Sequence, residues 1–146
     1  MISQARRFIA TLLVAHLLAA GLVFSALAEN IMSAKQALDG VENGTAILVD
    51  IRTKREWRQT GIATVATPLS MHEDGFLEGI KRLRSENPDK TIALICAVGG
   101  RTAYMSNLLE EGGFSNIADV SEGMIGGQNG MGWIPSGLPV KPWNGQ

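Results

Sequence analysis

The stretch Thr91–Gly113, TIALICAVGGRTAYMSNLLEEGG, decides how the rest of this chain reads. Ile92, Leu94 and Ile95 form an apolar run that predicts a strand buried on both faces. Met105, Leu108 and Leu109 then recur at helical spacing until Gly112-Gly113 stops the helix. Between strand and helix lies Cys96-Ala97-Val98-Gly99-Gly100-Arg101, led by the only cysteine. Two successive glycines permit backbone angles closed to other residues, so consecutive N–H groups can curl towards one point. The expected point is the Cys96 sulfur.

On the N-terminal side, Ser33-Ala34-Lys35-Gln36 has capping-box form and opens a short helix expected to end near Asp39-Gly40. Ala46-Ile47-Leu48-Val49-Asp50 reads as a buried parallel strand with Asp50 at its carboxyl end. Thr53-Lys54-Arg55-Glu56 repeats the capping box and opens a helix whose Trp57 is a core residue. Val65-Ala66-Thr67-Pro68-Leu69 reads as a short strand ended or edged by Pro68. Between Glu73 and Leu83, Phe76, Leu77, Ile80 and Leu83 mark one apolar helix face, and Lys81, Arg82 and Arg84 a solvated one. Asn87-Pro88-Asp89-Lys90 is a turn.

On the C-terminal side, Asn116–Val120 is the final strand expected before a loop-like tail rich in glycine. Trp133 and Leu138-Pro139-Val140 are the apolar points that pin the tail, and Pro135, Pro139 and Pro142 deny it long regular structure. Strands alternating with helices predict an α/β fold: a central parallel sheet of about five short strands with helices on both faces. Residues 29–146 are read as one domain.

The chain has 146 residues, 45% of them hydrophobic, and a formal charge of −1. With no basic run after position 28 and few aromatics, nothing in it favours nucleic acid as a partner. One cysteine and two histidines do not make a metal cage, and neither a metal nor a cofactor is expected.

Residues 1–28 are a different kind of sequence. Arg6-Arg7 precedes an apolar run from Phe8 to Phe24 and the small-x-small ending Ala26-Leu27-Ala28. This is the pattern of an export signal cleaved after Ala28. The apolar run approaches the ~20 residues that span a bilayer, so an uncleaved anchor is the alternative. Either reading places the domain outside the cytoplasm, in a periplasm or beyond. Cleavage removes two arginines and no acid, leaving a mildly acidic domain. A lone cysteine there cannot form an internal disulfide, and a dithiol mechanism has no second thiol.

Asp50 and Arg52 fall where open α/β sheets place their sites, beyond strand carboxyl ends, and are candidates to support Cys96 if their strands are neighbours. The alternative is a mutual ion pair that orders the loop. His72 is a candidate only by being the remaining histidine; nothing beside it in sequence forms a triad. For Cys96 itself the plain alternative is a buried inert thiol.

The quoted residues carry a pattern. Val49-Asp50-Ile51-Arg52-Thr53 with Glu56-Trp57 is followed by Ile95-Cys96 with Gly99, Arg101 and Thr102. Glu110, Gly113-Phe114, Asn116 and Gly137-Leu138-Pro139-Val140 complete it. Over residues 33–140 the chain resembles the single-domain rhodanese-like sulfurtransferases, whose signature is the Cys-x-x-x-x-Arg loop. The resemblance implies a rhodanese-like three-layer sandwich. It also implies a persulfide on Cys96, bound by the loop Ala97, Val98, Gly99, Gly100, Arg101 and Thr102. The four residues between Cys96 and Arg101 match the sulfurtransferases; phosphatases of this fold use five.

On that resemblance, Cys96 attacks the outer sulfur of thiosulfate or a similar small anionic donor, and a thiol, cyanide or a partner protein then takes the sulfur. The thiolate is the nucleophile, and a helix N-terminus beside a cation favours it. Backbone N–H groups and the helix dipole stabilise the terminal sulfur, so no general base is needed. Family members commonly turn the loop arginine into structural ion pairs, so loop ordering is implied for Arg101 at least as strongly as substrate contact. The rival from another class is a non-catalytic carrier or partner-binding module.

The chain departs from the family in three places. Ala97 and Val98 bring no charge where many members carry Arg or Lys. The segment Gly61-Ile62-Ala63-Thr64-Val65-Ala66 lacks the family's histidine. Glu122-Gly123 is separated from Trp133 by an apparent insertion.

Overall fold

Hydroxyl caps set where two of the helices begin. The computed structural model describes residues 30–145, so the expected export signal at 1–28 lies outside the described residues. Ser33 Oγ accepts the Gln36 N–H while Gln36 Oε1 accepts the Ser33 N–H, which opens helix α1, Ala34–Glu42. Thr53 and Glu56 repeat the exchange at the start of α2, Lys54–Thr60. Helix α3, Phe76–Glu86, and helix α4, Gly100–Glu111, instead begin at left-handed glycines, Gly75 and Gly99. α1 runs two residues past the expected end at Gly40.

The strands are β1 Ile31–Met32, β2 Ala46–Asp50, β3 Ile62–Ala63, β4 Ala66–Pro68, β5 Thr91–Ile95, β6 Ile117–Val120 and β7 Val140–Lys141. Five form one sheet in the order β1-β6-β5-β2-β4, with every pairing parallel. The expected parallel α/β sheet is present, and the quoted stretch supplies its central strand. β1 was not foreseen: two residues carry no periodicity.

Alternating side chains of the sheet feed two cores. Leu48, Ala93, Ile95, Ala118 and Val120 meet Ala34, Ala37 and Leu38 of α1, together with Met124 and Trp133 from the tail. Val49, Ile51, Ile92, Leu94, Cys96 and Ile117 meet Phe76 and Ile80 of α3 and Met105 and Leu109 of α4. Burial on both faces explains why the strands read as unbroken apolar runs. Two expected core residues are exposed instead, Leu77 and Leu108, each lying at the edge of its helix's apolar stripe.

The expected solvated face also needs correction at Arg84. Its guanidinium donates to the Lys90, Ser115 and Asn116 carbonyls, tying the turn before β5 to the segment before β6. The tail closes the fold as a clasp. β7 pairs antiparallel with β3, Trp133 is fully buried, and its Nε1 donates to the Pro139 carbonyl at 3.0 Å. Gly61 sits at φ +73° so close to Lys141 that a Cβ there would lie 2.5 Å from the Lys141 carbonyl oxygen.

Candidate functional site

β5 ends at Ile95, whose side chain faces α1; the next residue, Cys96, therefore faces α3 and α4. The chain then turns through Ala97-Val98-Gly99 into α4. Gly99 has φ +93°, and a Cβ on it would sit 2.0 Å from the Ser121 carbonyl oxygen, so only glycine fits. Gly100 is different: it has ordinary helical backbone and open space where a Cβ would go. The turn therefore rests on one glycine, where the sequence reading credited two.

This turn aims the Gly99 N–H at the Cys96 sulfur, 3.2 Å away. The first N–H groups of α4 have no carbonyl partner within the helix, and its dipole favours negative charge at this end. Thr102 Oγ1 lies 3.7 Å from Sγ and donates to the Gly99 carbonyl at 2.8 Å, fixing the turn from inside. Cys96 itself is fully buried.

A second segment braces the loop from behind. The Met124 N–H donates to the Cys96 carbonyl and the Ile125 N–H to the Ala97 carbonyl, at 2.8 and 3.0 Å. Gly123, at φ +66°, lets this segment approach so closely that a Cβ would stand 2.4 Å from the Ala97 oxygen. In the sequence Gly123 stands in a glycine-rich, loop-like tail with no task assigned to it. Its only signal was the cluster itself.

Arg101 leaves α4 to clasp Glu56 of α2, with Nη1–Oε2 at 2.9 Å and Nη2–Oε1 at 2.5 Å. That fork holds the Glu56 carboxyl down at about 2, against burial, which pushes it up; Thr53 adds a smaller downward pull. Glu56 in turn holds Arg101 protonated more firmly, opposed by burial and helped slightly by the Cys96 sulfur beside it. Glu56 was foreseen as a capping residue and as part of the quoted pattern, not as the partner of Arg101, which lies 45 positions away.

β2 and β5 are neighbours, as the supporting role for Asp50 and Arg52 required. Yet Asp50 shares a register position with Ile95, so it faces α1 while Cys96 faces the other side. Its carboxylate takes Arg52 Nε at 2.9 Å and Nη2 at 2.7 Å, and Arg52 also reaches Thr60 Oγ1 and the Gly61 carbonyl. Both residues are buried and bonded to each other, which orders the loop after β2 and directs neither towards the sulfur. His72 is exposed, its backbone N–H donating to Ser70 Oγ.

One buried group was missed. Asp119 of β6 stands in register with Leu94, on the Cys96 face of the sheet, with one carboxylate oxygen unpartnered. Burial pushes its carboxyl above the usual range, and the nearby Thr102 hydroxyl partly offsets this. Within a four-residue apolar strand it gave no signal beyond being the one charged residue.

The rhodanese-like domain family matches residues 33–129 of the chain. An uncharacterized protein of Rickettsia prowazekii is 32% identical over 123 residues, covering 77% of this chain and 97% of its own. Another from Rickettsia rickettsii is 30% identical over 121 residues, covering 76% and 95%. Among solved structures, a rhodanese-like domain protein from Staphylococcus aureus superposes with TM-score 0.53 at 25% identity, over 77% of this chain and 98% of that one. A rhodanese-related protein from Thermoplasma volcanium gives 0.54 at 28% identity, over 78% and 99%.

Proposed function

Because the chain belongs to the rhodanese-like domain family, we propose that it is a sulfurtransferase carrying sulfane sulfur as a persulfide on Cys96. The observation that carries this reading is the setting of the Cys96 sulfur. It lies at the end of the central strand and the start of α4, 3.2 Å from the Gly99 nitrogen, with Arg101 alongside. These groups stabilise a thiolate before transfer and a terminal persulfide anion after it.

The Cys96 thiolate attacks the outer sulfur of a small anionic donor. The Sγ–S bond forms, the donor's own S–S bond breaks with its electron pair on the departing group, and an incoming thiolate, cyanide or partner protein later removes the sulfur. Arg101, clamped by Glu56, keeps the loop in shape. Residues 1–28 complete the proposal as an export signal that delivers the domain outside the cytoplasm.

Intact mass after incubation with a panel of sulfane-sulfur donors tests the reading. A gain of one sulfur, about 32 Da, on wild type and none on Cys96→Ala is expected. No gain with any donor, from folded protein whose Cys96 is alkylated once unfolded, sinks it. The same spectrum of protein made with its full N-terminus shows whether residues 1–28 are removed.

A second reading, a non-catalytic carrier or docking module, is favoured by the complete burial of Cys96. Thiocyanate formation from donor and cyanide separates the two: single loading without turnover supports the carrier.

A further inference from the structure

Resting on the persulfide reading, we infer that the sulfur donor of this site is a monoanion with an apolar body, of the organic thiosulfonate or organic persulfide type, rather than a compact dianion such as thiosulfate. Both arginines that the sequence places near the site have their charge answered. Arg52 is buried against Asp50, and Arg101 uses both terminal nitrogens on Glu56. The two segments that form and brace the cysteine loop, 96–100 and 121–132, contain no lysine or arginine and one acid, Glu122.

What these segments expose is apolar. Val98 is 49% exposed, Ile125 50% and Met131 63%. They lie together: a Cβ on Gly127 would come within 3.7 Å of the Val98 side chain, and the Met131 backbone packs on Gly126, next to Ile125. Cys96, two residues before Val98 and bonded through its carbonyl to the Met124 N–H, is wholly covered, so a donor must shed water to react. Stripping water from two negative charges beside arginines whose charge is already answered is costly, whereas an apolar group gains by covering Val98, Ile125 and Met131.

Thiosulfate and benzenethiosulfonate make a matched pair, since one charged oxygen of the first is replaced by a phenyl ring in the second. For the latter, the Cys96 thiolate bonds to the sulfane sulfur and the bond to the sulfonyl sulfur breaks. Benzenesulfinate leaves with the electron pair, and the two negative charges before the step are two after it. No proton, oxidant or reductant is required.

Loading is followed by intact mass, with each donor's rate divided by its rate towards a free small thiol to remove leaving-group differences. Wild type is expected to load from benzenethiosulfonate at least about tenfold faster than from thiosulfate on this corrected scale. Val98→Lys or Ile125→Lys, both at exposed positions that tolerate charge, should raise thiosulfate loading about fivefold, with the gain fading in high salt. Corrected rates that are equal, or that favour thiosulfate, overturn the inference. So does an unchanged donor ratio in both lysine variants. If no donor of the panel, organic persulfides included, loads wild type, the persulfide reading itself falls, an outcome distinct from loading with the opposite preference.

Discussion

Two loops leave the sheet side by side, after β2 and after β5, and they handle their polar groups in opposite ways. In the first, Asp50 accepts from the Arg52 backbone and guanidinium, and the remaining guanidinium donors reach Thr60 and Gly61. A buried charge pair bonded this fully is locked. In the second, the Cys96 sulfur receives one N–H at 3.2 Å at the mouth of a helix whose first donors lack carbonyls. Neighbouring strand ends thus yield a strut and a site on opposite faces of the sheet, and the difference is whether donors are consumed internally or left for a ligand.

The sharpest way to break this contrast is Asp50→Ala, which strands the Arg52 charge in a buried place. Urea unfolding should show a loss of about 3–5 kcal/mol, while the fraction still folded keeps its capacity to load Cys96. A loss under about 1 kcal/mol would mean the first loop is no strut.

Next in size is Gly99→Ala, which meets both a left-handed backbone and the Ser121 carbonyl. It is expected to cost about 2–3 kcal/mol and most of the persulfide loading, whereas Gly100→Ala should lie within about 1 kcal/mol of wild type, on the stabilising side. Equal effects of the two would return the turn to the two-glycine picture.

Glu56→Gln probes the brace that joins the loops. The folded carboxyl sits near 2, below its ordinary 4.5, so its stabilisation is full above pH 4.5 and lost as pH falls towards 2. At pH 7 the variant should be less stable by about 1–2 kcal/mol, allowing for partial exposure, and the gap should close across that acid window in melting experiments.

Asp119→Asn is the smallest effect and has the opposite sign. Its folded carboxyl lies above the ordinary 3.8, so wild type loses stability as pH climbs through the window that starts there, and the amide variant does not. Melting temperatures should therefore favour the variant at neutral pH and converge in acid. A variant that is less stable at pH 7 would show that the carboxylate is needed in its charged form.

Legibility followed locality. Capping boxes at Ser33 and Thr53, the buried strands at 46–50 and 91–95 and the turn at Cys96 are set by residues within a few positions, and each was readable. Glu56–Arg101, Arg84 on the Ser115 and Asn116 carbonyls, and the Ile125–Ala97 brace join positions far apart in sequence, and no single segment announces them. The role of Gly99 was readable as flexibility, but its necessity comes from Ser121, across the loop. Asp50 and Arg52 were visible as a pair; which face of the sheet they occupy depended on register, where one residue reverses the side.

The bracing segment also orders events in time. Cys96 is made before residues 121–125, whose N–H groups tie down the Cys96 and Ala97 carbonyls, and β1 cannot find its place until β6, made long after it, is available. The Ala34 N–H likewise waits for Glu122, 88 positions later. While the chain is being made, the thiol therefore precedes its own shelter, and the first strand stays without a partner until the sheet is nearly complete.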